Sequence, residues 1–306
     1  MNKQHRRDVH GILLLDKPAG ATSNQVLQHV KRLYRAHKAG HTGSLDKLAS
    51  GLLPLCLGEA TKLSGYLLDA DKIYEATCGL GVTTTTGDAA GEVIDSKPVP
   101  DISRQELEKV LERFRGEIQQ TPPMFSALKH EGRRLYKLAY AGITVEREPR
   151  TVTIYELTHG SCSRDELQIR VCCSKGTYIR TLAEDIGREL GCGAHLKTLR
   201  RIGAGPFTAS QMVTMTEIDH LSKIGPDALD KKLVPMDYVL RNVPAVRLNE
   251  SMAFYMRQGQ AITVPSAPVQ GLVRLYDQRD MFLGVGTILD DGRVGPKRLV
   301  QAIHST

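Results

Sequence analysis

The sequence predicts an α/β (α+β) chain that ends in a small all-β unit, and three observations carry this. Segments with apolar residues at three- and four-residue spacing are interleaved with short runs that read as strands. Residues 151–157 and 167–174 alternate as strands do, and 179–190 returns to helical spacing. Past Pro235, Met236 and Asp237, short apolar runs are separated by Gly, Pro, Asp and Gln, the pattern of closely spaced strands and turns.

In order along the chain, residues 1–9 are polar and are expected to be mobile. The apolar run 11–15 reads as a buried strand, stopped by Lys17 and Pro18, and the ordered domain is expected to start there. Thr22 or Ser23 can cap a helix with Val26, Val30 and Leu33 on one side and Lys31, Arg32 and Arg35 mostly on the other. That helix leads to a glycine-rich loop at 40–51. Residues 52–57 are apolar and seat the loop on the core; 60–68 read as a helix, and Tyr74 stands near the start of a strand running to Leu80. Residues 83–91 are rich in turns, and Pro98 and Pro100 mark a connection to a helix over 103–114. The segment from Thr121 has few apolar repeats and carries Lys129, His130, Arg133 and Arg134. In the final unit, short apolar runs at 245–248, 261–264, 272–276, 281–288 and 299–303 read as strands.

A chain of 306 residues is long enough for one large core with a minor unit attached. Lys and Arg outnumber Asp and Glu by 41 to 34, and the resulting net charge of +7 favours a polyanionic partner. The cations are dispersed: His5, Arg6 and Arg7, then Arg133 and Arg134, Lys197 with Arg200 and Arg201, and Lys297 with Arg298. That distribution suits a long folded RNA better than a basic tail does, although each cluster alone reads as a solvated face and only convergence in space makes a phosphate track. The six cysteines form no C-x-x-C pair, so neither a zinc site nor a disulfide is expected, and the thiols fit a reducing compartment. The N-terminus has no apolar h-region and no uncharged apolar run approaches membrane-spanning length; the expectation is a soluble, cytoplasmic protein with no membrane contact. Signatures of P-loop nucleotide hydrolysis, dinucleotide binding, serine hydrolysis and zinc proteolysis are absent from the sequence.

The loop Gly40, His41, Thr42, Gly43, Ser44, Leu45, Asp46, Lys47, Leu48, Ala49, Ser50, Gly51 sets one carboxylate among glycines, small hydroxyls and a histidine. Glycines permit tight backbone geometry and close approach of a ligand, and Thr42 and Ser44 can tie down the turn. Asp46 is therefore a candidate nucleophile or base, the plain alternative being a solvated turn.

This loop resembles the catalytic motif of pseudouridine synthases, specifically the bacterial tRNA pseudouridine-55 synthase (TruB) family. The resemblance extends over nearly the whole chain. It continues through Gly11 to Pro18, Gly58 to Lys62, and Asp71 to Tyr74, then Cys173 to Thr181, and Gly191 to His195 followed by Leu199, Arg200 and Arg201. Residues 282–286 with Asp291, Gly292, Arg293, Pro296, Arg298 and Leu299 are similar to the PUA-like tail of that family. The resemblance implies a catalytic domain over 10–240 with a mixed, largely antiparallel sheet, an RNA-contacting insertion near 121–150, and a PUA-like RNA-binding domain over 245–304. It implies isomerisation of uridine to pseudouridine at position 55 in the T-loop of tRNA, by a monomer that needs no cofactor, no metal and no protein partner.

It also implies roles. Asp46 is the essential carboxylate, acting either by adding to the uracil ring or through the ribose, and the residues do not choose between these. Arg180 is its buried cationic partner, expected to form a bidentate pair in a pocket closed to water. Tyr74 is the platform for the extruded base, with a phenol able to take part in proton transfer. Tyr178 and Leu199 flank the uracil, Lys17 supports the pocket loop, and His41 fills the place vacated by the extruded nucleotide. Lys129, Arg133, Arg134, Arg200 and Arg201 are expected RNA contacts. Two positions depart from the family pattern: Lys47 replaces the usual proline, which is expected to alter or reduce activity, and Phe125 stands where tyrosine is common. With Lys47 in place, a tRNA-binding folding factor with impaired or dispensable catalysis is the rival reading.

Overall fold

The first apolar run becomes the strand Gly11–Lys17, buried on both faces because alternate side chains enter different cores. Leu13 and Leu15 point into one core, and Ile12 and Leu14 into a second. The computed structural model describes residues 6–301. In it, Gly11–Lys17 pairs antiparallel with Ser50–Leu57 along its full length, Gly11 opposite Leu57 and Lys17 opposite Gly51.

These strands belong to a ten-stranded sheet, whose main path runs Val213–Thr214, Gly11–Lys17, Ser50–Leu57, Ala194–Ala204, Lys72–Leu80, Glu166–Cys173, Arg150–Cys162 and Gly116–Gln120. Ala39–His41 pairs with Ser50–Leu57, and Phe207–Thr208 with Ala194–Ala204. Pairing is antiparallel except between Gly11–Lys17 and Val213–Thr214, and between Ser50–Leu57 and Ala194–Ala204. The sheet is thus mixed and largely antiparallel.

Helices Ser23–Leu33, Arg104–Glu112 and Ile179–Glu189 cover one face with Val26, Leu27, Val30, Leu107, Leu111, Leu182 and Ile186. Thr22 is the cap of the first helix, in a reciprocal capping box with Gln25; Ser103 and Glu106 repeat the device. Helices Met215–Ile224 and Pro226–Asp230 add Ile218 and Leu229 to the same core.

Several expectations need correction. The N-terminal segment is anchored before Gly11: the Arg7 amide donates to Arg35 O, Val9 is buried, and the Arg7 guanidinium pairs with Asp230. Residues 1–5, with His5 of the basic cluster, lie outside the described part. The helix expected over 60–68 is split into a 3-10 turn, Gly58–Leu63, and a short α-helix, Ser64–Asp69. There Thr61 Oγ1 donates to Gly58 O and Ser64 Oγ to Thr61 O, three residues back each time. The C-terminal unit is not all-β. Its sheet has the strands Ala245–Arg247, Leu272–Tyr276, Phe282–Ile288 and Val294–Leu299, but Glu250–Arg257 is a helix capped by Asn249. Residues 261–264 contribute only a bridge, Ile262 to Val294, and the last strand ends where the run 299–303 was expected to begin; residues 302–303 lie outside the described part. The helix escaped reading because only Ala253 and Met256 are buried while the adjacent Phe254 and Tyr255 face solvent, which blurs its period.

The C-terminal unit shares a core with the larger sheet, since Val285 and Val300 pack with Ile12, Leu14, Leu52 and Phe207. Polar contacts fix the join. Glu59 Oε2 accepts from the Gln301 amide at 2.7 Å and pairs with Lys62 at 2.6 Å, and Lys62 Nζ donates to Leu299 O at 3.2 Å. Burial pushes the Glu59 carboxyl upward, but the hydrogen bonds from Lys62 and Gln301 and the Lys62 charge outweigh it and hold the group below its usual value. A lowered folded value means that this stabilisation is present above the unfolded value near 4.5 and is lost as pH falls through the folded one. In urea titrations Glu59→Gln is expected to cost about 1–2 kcal/mol at pH 7, and the gap to the parent should close as pH falls below 4.5. A gap independent of pH would show that the carboxylate charge does not hold the join.

Candidate active site

The glycine-rich loop is held from three sides. From the first helix, Ser23 Oγ accepts from the Leu45 amide at 2.9 Å and donates to Leu45 O at 3.0 Å, with both groups buried. The Gly20 amide donates to Lys47 O at 2.7 Å. Beneath the loop, Arg201 Nε donates to Leu52 O at 2.6 Å and Nη2 to Gly43 O at 3.1 Å. Gly51 permits this close packing: its φ is +96°, and a Cβ there would lie 2.3 Å from Arg201 O. Buried Leu45 anchors the turn, and the neighbouring Asp46 side chain is left 49% exposed.

Arg180 is the second residue of the helix Ile179–Glu189 and its side chain is 4% exposed. Its Nε lies 3.0 Å from Asp46 Oδ2 and 3.9 Å from Asp88 Oδ2. Nη1 donates to Thr86 O at 2.9 Å and Nη2 to Phe125 O at 2.6 Å. The expected bidentate pair is therefore a single Nε contact, and each terminal nitrogen instead donates to a backbone carbonyl. Nor is the carboxylate enclosed as expected, given its exposure. Asp88 was passed over in the sequence, where it reads only as a turn residue. It is buried, and its Oδ1 accepts from Thr86 Oγ1 at 2.6 Å and the Ala90 amide at 3.0 Å. Only the fold brings this second carboxylate to the guanidinium.

Lys17 is fully buried rather than solvated, with Nζ donating to Pro18 O at 2.8 Å and Ala21 O at 2.7 Å. Burial lowers its pKa to about 8; the Asp46 charge works upward and Arg201 downward. Tyr74 lies half-buried on Lys72–Leu80, in register with Arg201 on Ala194–Ala204. Burial raises its phenol, with Arg201 opposing. Leu199 is 8% exposed in the main core. His41 ends the strand Ala39–His41; burial and then Arg201 lower its pKa, and its Nδ1 is buried with no hydrogen-bond partner among the described residues. Tyr178 immediately precedes the Arg180 helix, and the Arg150 guanidinium sits 5.0 Å from its ring centroid.

The basic residues separate into groups. Lys129, Arg133 and Arg134 are exposed on a short hairpin of the insertion, where Arg134 Nη1 also donates to Ala127 O. Arg200 is committed to a bidentate pair with Asp16, at 3.0 and 2.7 Å. Arg201 is 1% exposed and has no surface to offer a phosphate, so its expected RNA contact is replaced by its grip on the loop carbonyls. Lys47 is exposed, and among the described residues its ammonium has no ion-pair partner and its amide no acceptor. Among the described residues, no group of three or more His, Cys, Asp and Glu side chains is placed to hold a metal ion.

Gly51→Ala combines a left-handed backbone with a backbone clash, and is expected to cost about 2–5 kcal/mol in urea titrations. A near-neutral effect would mean that the Arg201 strand yields readily.

Residues 31–179 match the model of the TruB family pseudouridylate synthase N-terminal domain. Residues 180–241 match the tRNA pseudouridylate synthase B C-terminal domain, and 244–300 the C-terminal region of pseudouridine synthase II TruB. The chain is 55% identical to the tRNA pseudouridine synthase B of Nitrosococcus oceani over 98% of each chain, and 54% identical to that of Stutzerimonas stutzeri over 98% of each. A chain in the crystal structure of a Cbf5–Nop10–Gar1 complex superposes with a TM-score of 0.73 at 27% identity, covering 95% of this chain and 84% of that one. Fold, loop and sequence together place this chain in the TruB family of pseudouridine synthases.

Proposed function

We propose that the Asp46 pocket isomerises uridine to pseudouridine at position 55 in the T-loop of tRNA, acting as a monomer in the cytoplasm and needing no cofactor. The reaction breaks the bond from ribose to ring nitrogen, turns the uracil over, and rejoins it through ring carbon. The proton lost from that carbon is balanced by one gained at the freed nitrogen, so neither redox chemistry nor an external reactant is involved. The observation that carries the reading is the Arg180 Nε to Asp46 Oδ2 contact of 3.0 Å.

In this reading Asp46 is the essential carboxylate, attacking the ring or assisting departure of the base. An RNA loop laid over the pocket would cover its exposed side, and a covered carboxylate stays ionised only beside a cation. Arg180 supplies that cation without titrating. Tyr74 stacks the flipped base, Tyr178 and Leu199 flank it, and His41 fills the vacancy in the RNA stack. Lys17 supports the loop, while Lys129, Arg133 and Arg134 meet the T-arm backbone. The relatives are tRNA pseudouridine synthase B enzymes, which supports tRNA as the substrate.

The test is incubation with unmodified tRNA transcript and base-resolved mapping of pseudouridine. The parent should give stoichiometric product at the T-loop uridine, and Asp46→Asn should lose at least about 10⁴-fold in rate. Tight tRNA binding by a folded parent without product would leave the folding-factor reading instead. Against the expectation from sequence, Lys47→Pro should keep the rate within about threefold, since the Lys47 ammonium has no ion-pair partner among the described residues, and should add about 0.4–1 kcal/mol of stability, since its amide has no acceptor among them. A large gain in rate would instead show that Lys47 limits this chain.

A further inference from the structure

The insertion leaves the sheet after Gln120 and returns at Arg150, and these two residues are direct partners in the pairing of Gly116–Gln120 with Arg150–Cys162. Both turn their side chains to one residue, Tyr178. Gln120 is 1% exposed and spends its whole amide there: Oε1 accepts from the Tyr178 amide at 3.0 Å and Nε2 donates to Tyr178 O at 3.3 Å. Arg150 lays its guanidinium against the Tyr178 ring at 5.0 Å, and its Nη2 donates to Gly176 O at 2.7 Å. Gly176, at φ +83°, belongs to the turn that delivers Tyr178.

Tyr178 begins the helix that carries Arg180. Its side chain caps nothing, and its carbonyl accepts the Leu182 amide at 3.0 Å. The first helical turn, with Arg180 in it, thus takes its placement from a residue gripped by the neck of the insertion. The insertion also reaches Arg180 directly, through Phe125 O. Stability alone does not account for this arrangement, since Arg150 Nε is buried with no hydrogen-bond partner among the described residues, which is costly.

We propose that Gln120 and Arg150 are positioning residues, a clasp at the neck of the insertion that sets Tyr178 and hence the Arg180 guanidinium. This rests on the proposed function. The clasp transmits geometry and touches no reacting atom, so losing it should slow chemistry rather than weaken RNA binding. A displacement near 1 Å at a reacting group can cost about 10²-fold.

Arg150→Lys keeps the charge but loses the flat stacking face, and Gln120→Leu removes both amide bonds. At saturating tRNA, each is expected to slow single-turnover pseudouridine formation about 10- to 100-fold, with tRNA Kd within about threefold of the parent. The double variant should be no slower than the slower single one, because both act through Tyr178. Unchanged rates, independent multiplying losses, or a loss confined to Kd would overturn the clasp. If Gln120→Leu fails to fold, Arg150→Lys decides alone. Hydrogen exchange at the Leu182 amide, read without RNA, should quicken about five- to tenfold in Arg150→Lys. A parent that makes no pseudouridine would sink the proposed function, while the exchange arm would still uphold or overturn the clasp.

Discussion

Arg180 must be buried and charged at once, and the architecture around it answers that demand. A guanidinium removed from water is tolerable only if its donors are satisfied and its charge is balanced. Four separate stretches meet the need: the loop brings Asp46, the turn after Val82–Thr84 brings Thr86 O and Asp88, the insertion brings Phe125 O, and the helix Ile179–Glu189 brings the arginine itself. None of these is a sequence neighbour of the next. The central sheet orders the strands that flank the loop, the insertion and the helix, and backbone hydrogen bonds of Gly87 and Ala89 with Leu196 tie the turn to it. Asp46 is the most exposed of these partners, so the group free to react is also the one that still faces solvent.

The opposite side of the site depends on Arg201. It stands where Ala194–Ala204 runs parallel to Ser50–Leu57, with Arg201 opposite Gly51, and its side chain reaches Gly43 and Leu52 across the start and end of the loop. Arginine serves here for its several donors in one rigid plane, while two glycines leave room for it. Holding the loop by its carbonyls leaves the Asp46 carboxylate free of that task. One arginine therefore meets the carboxylate while another fixes the backbone bearing it.

Much of this was legible in sequence, and the failures have physical causes. The buried strand Gly11–Lys17, the capped helix Ser23–Leu33 and the alternating strands 151–157 and 167–174 each carry a local period set by burial, which a linear reading detects. The helix Glu250–Arg257 hid because its exposed aromatics fall out of phase with its buried residues. In the site, the loop announced Asp46 through its glycines, whereas Asp88 resembled any turn aspartate. The difference between Arg200 and Arg201 is invisible in composition. On a strand they face opposite ways, so one meets Asp16 near the surface and the other is wholly enclosed. Charge counted along the chain could not tell a surface cation from a structural one.

Three cations stand at the Asp46 loop: Lys17, Arg180 and Arg201. Lys17 sits at about 8, pulled down by burial and back up by Asp46, so its charge fades over a range in which a guanidinium keeps its own. Its folded value lies below the unfolded 10.5; between the two the unfolded chain holds more protons, and the cost of burying this ammonium falls as pH rises. The loop contacts need not follow the charge. A neutral amine still has two N–H donors, and Lys17 has two acceptors, Pro18 O and Ala21 O. Lys17 can therefore hold the backbone in either state, which separates the shape of the pocket from its electrostatics and leaves the charge opposite Asp46 to a group that does not titrate.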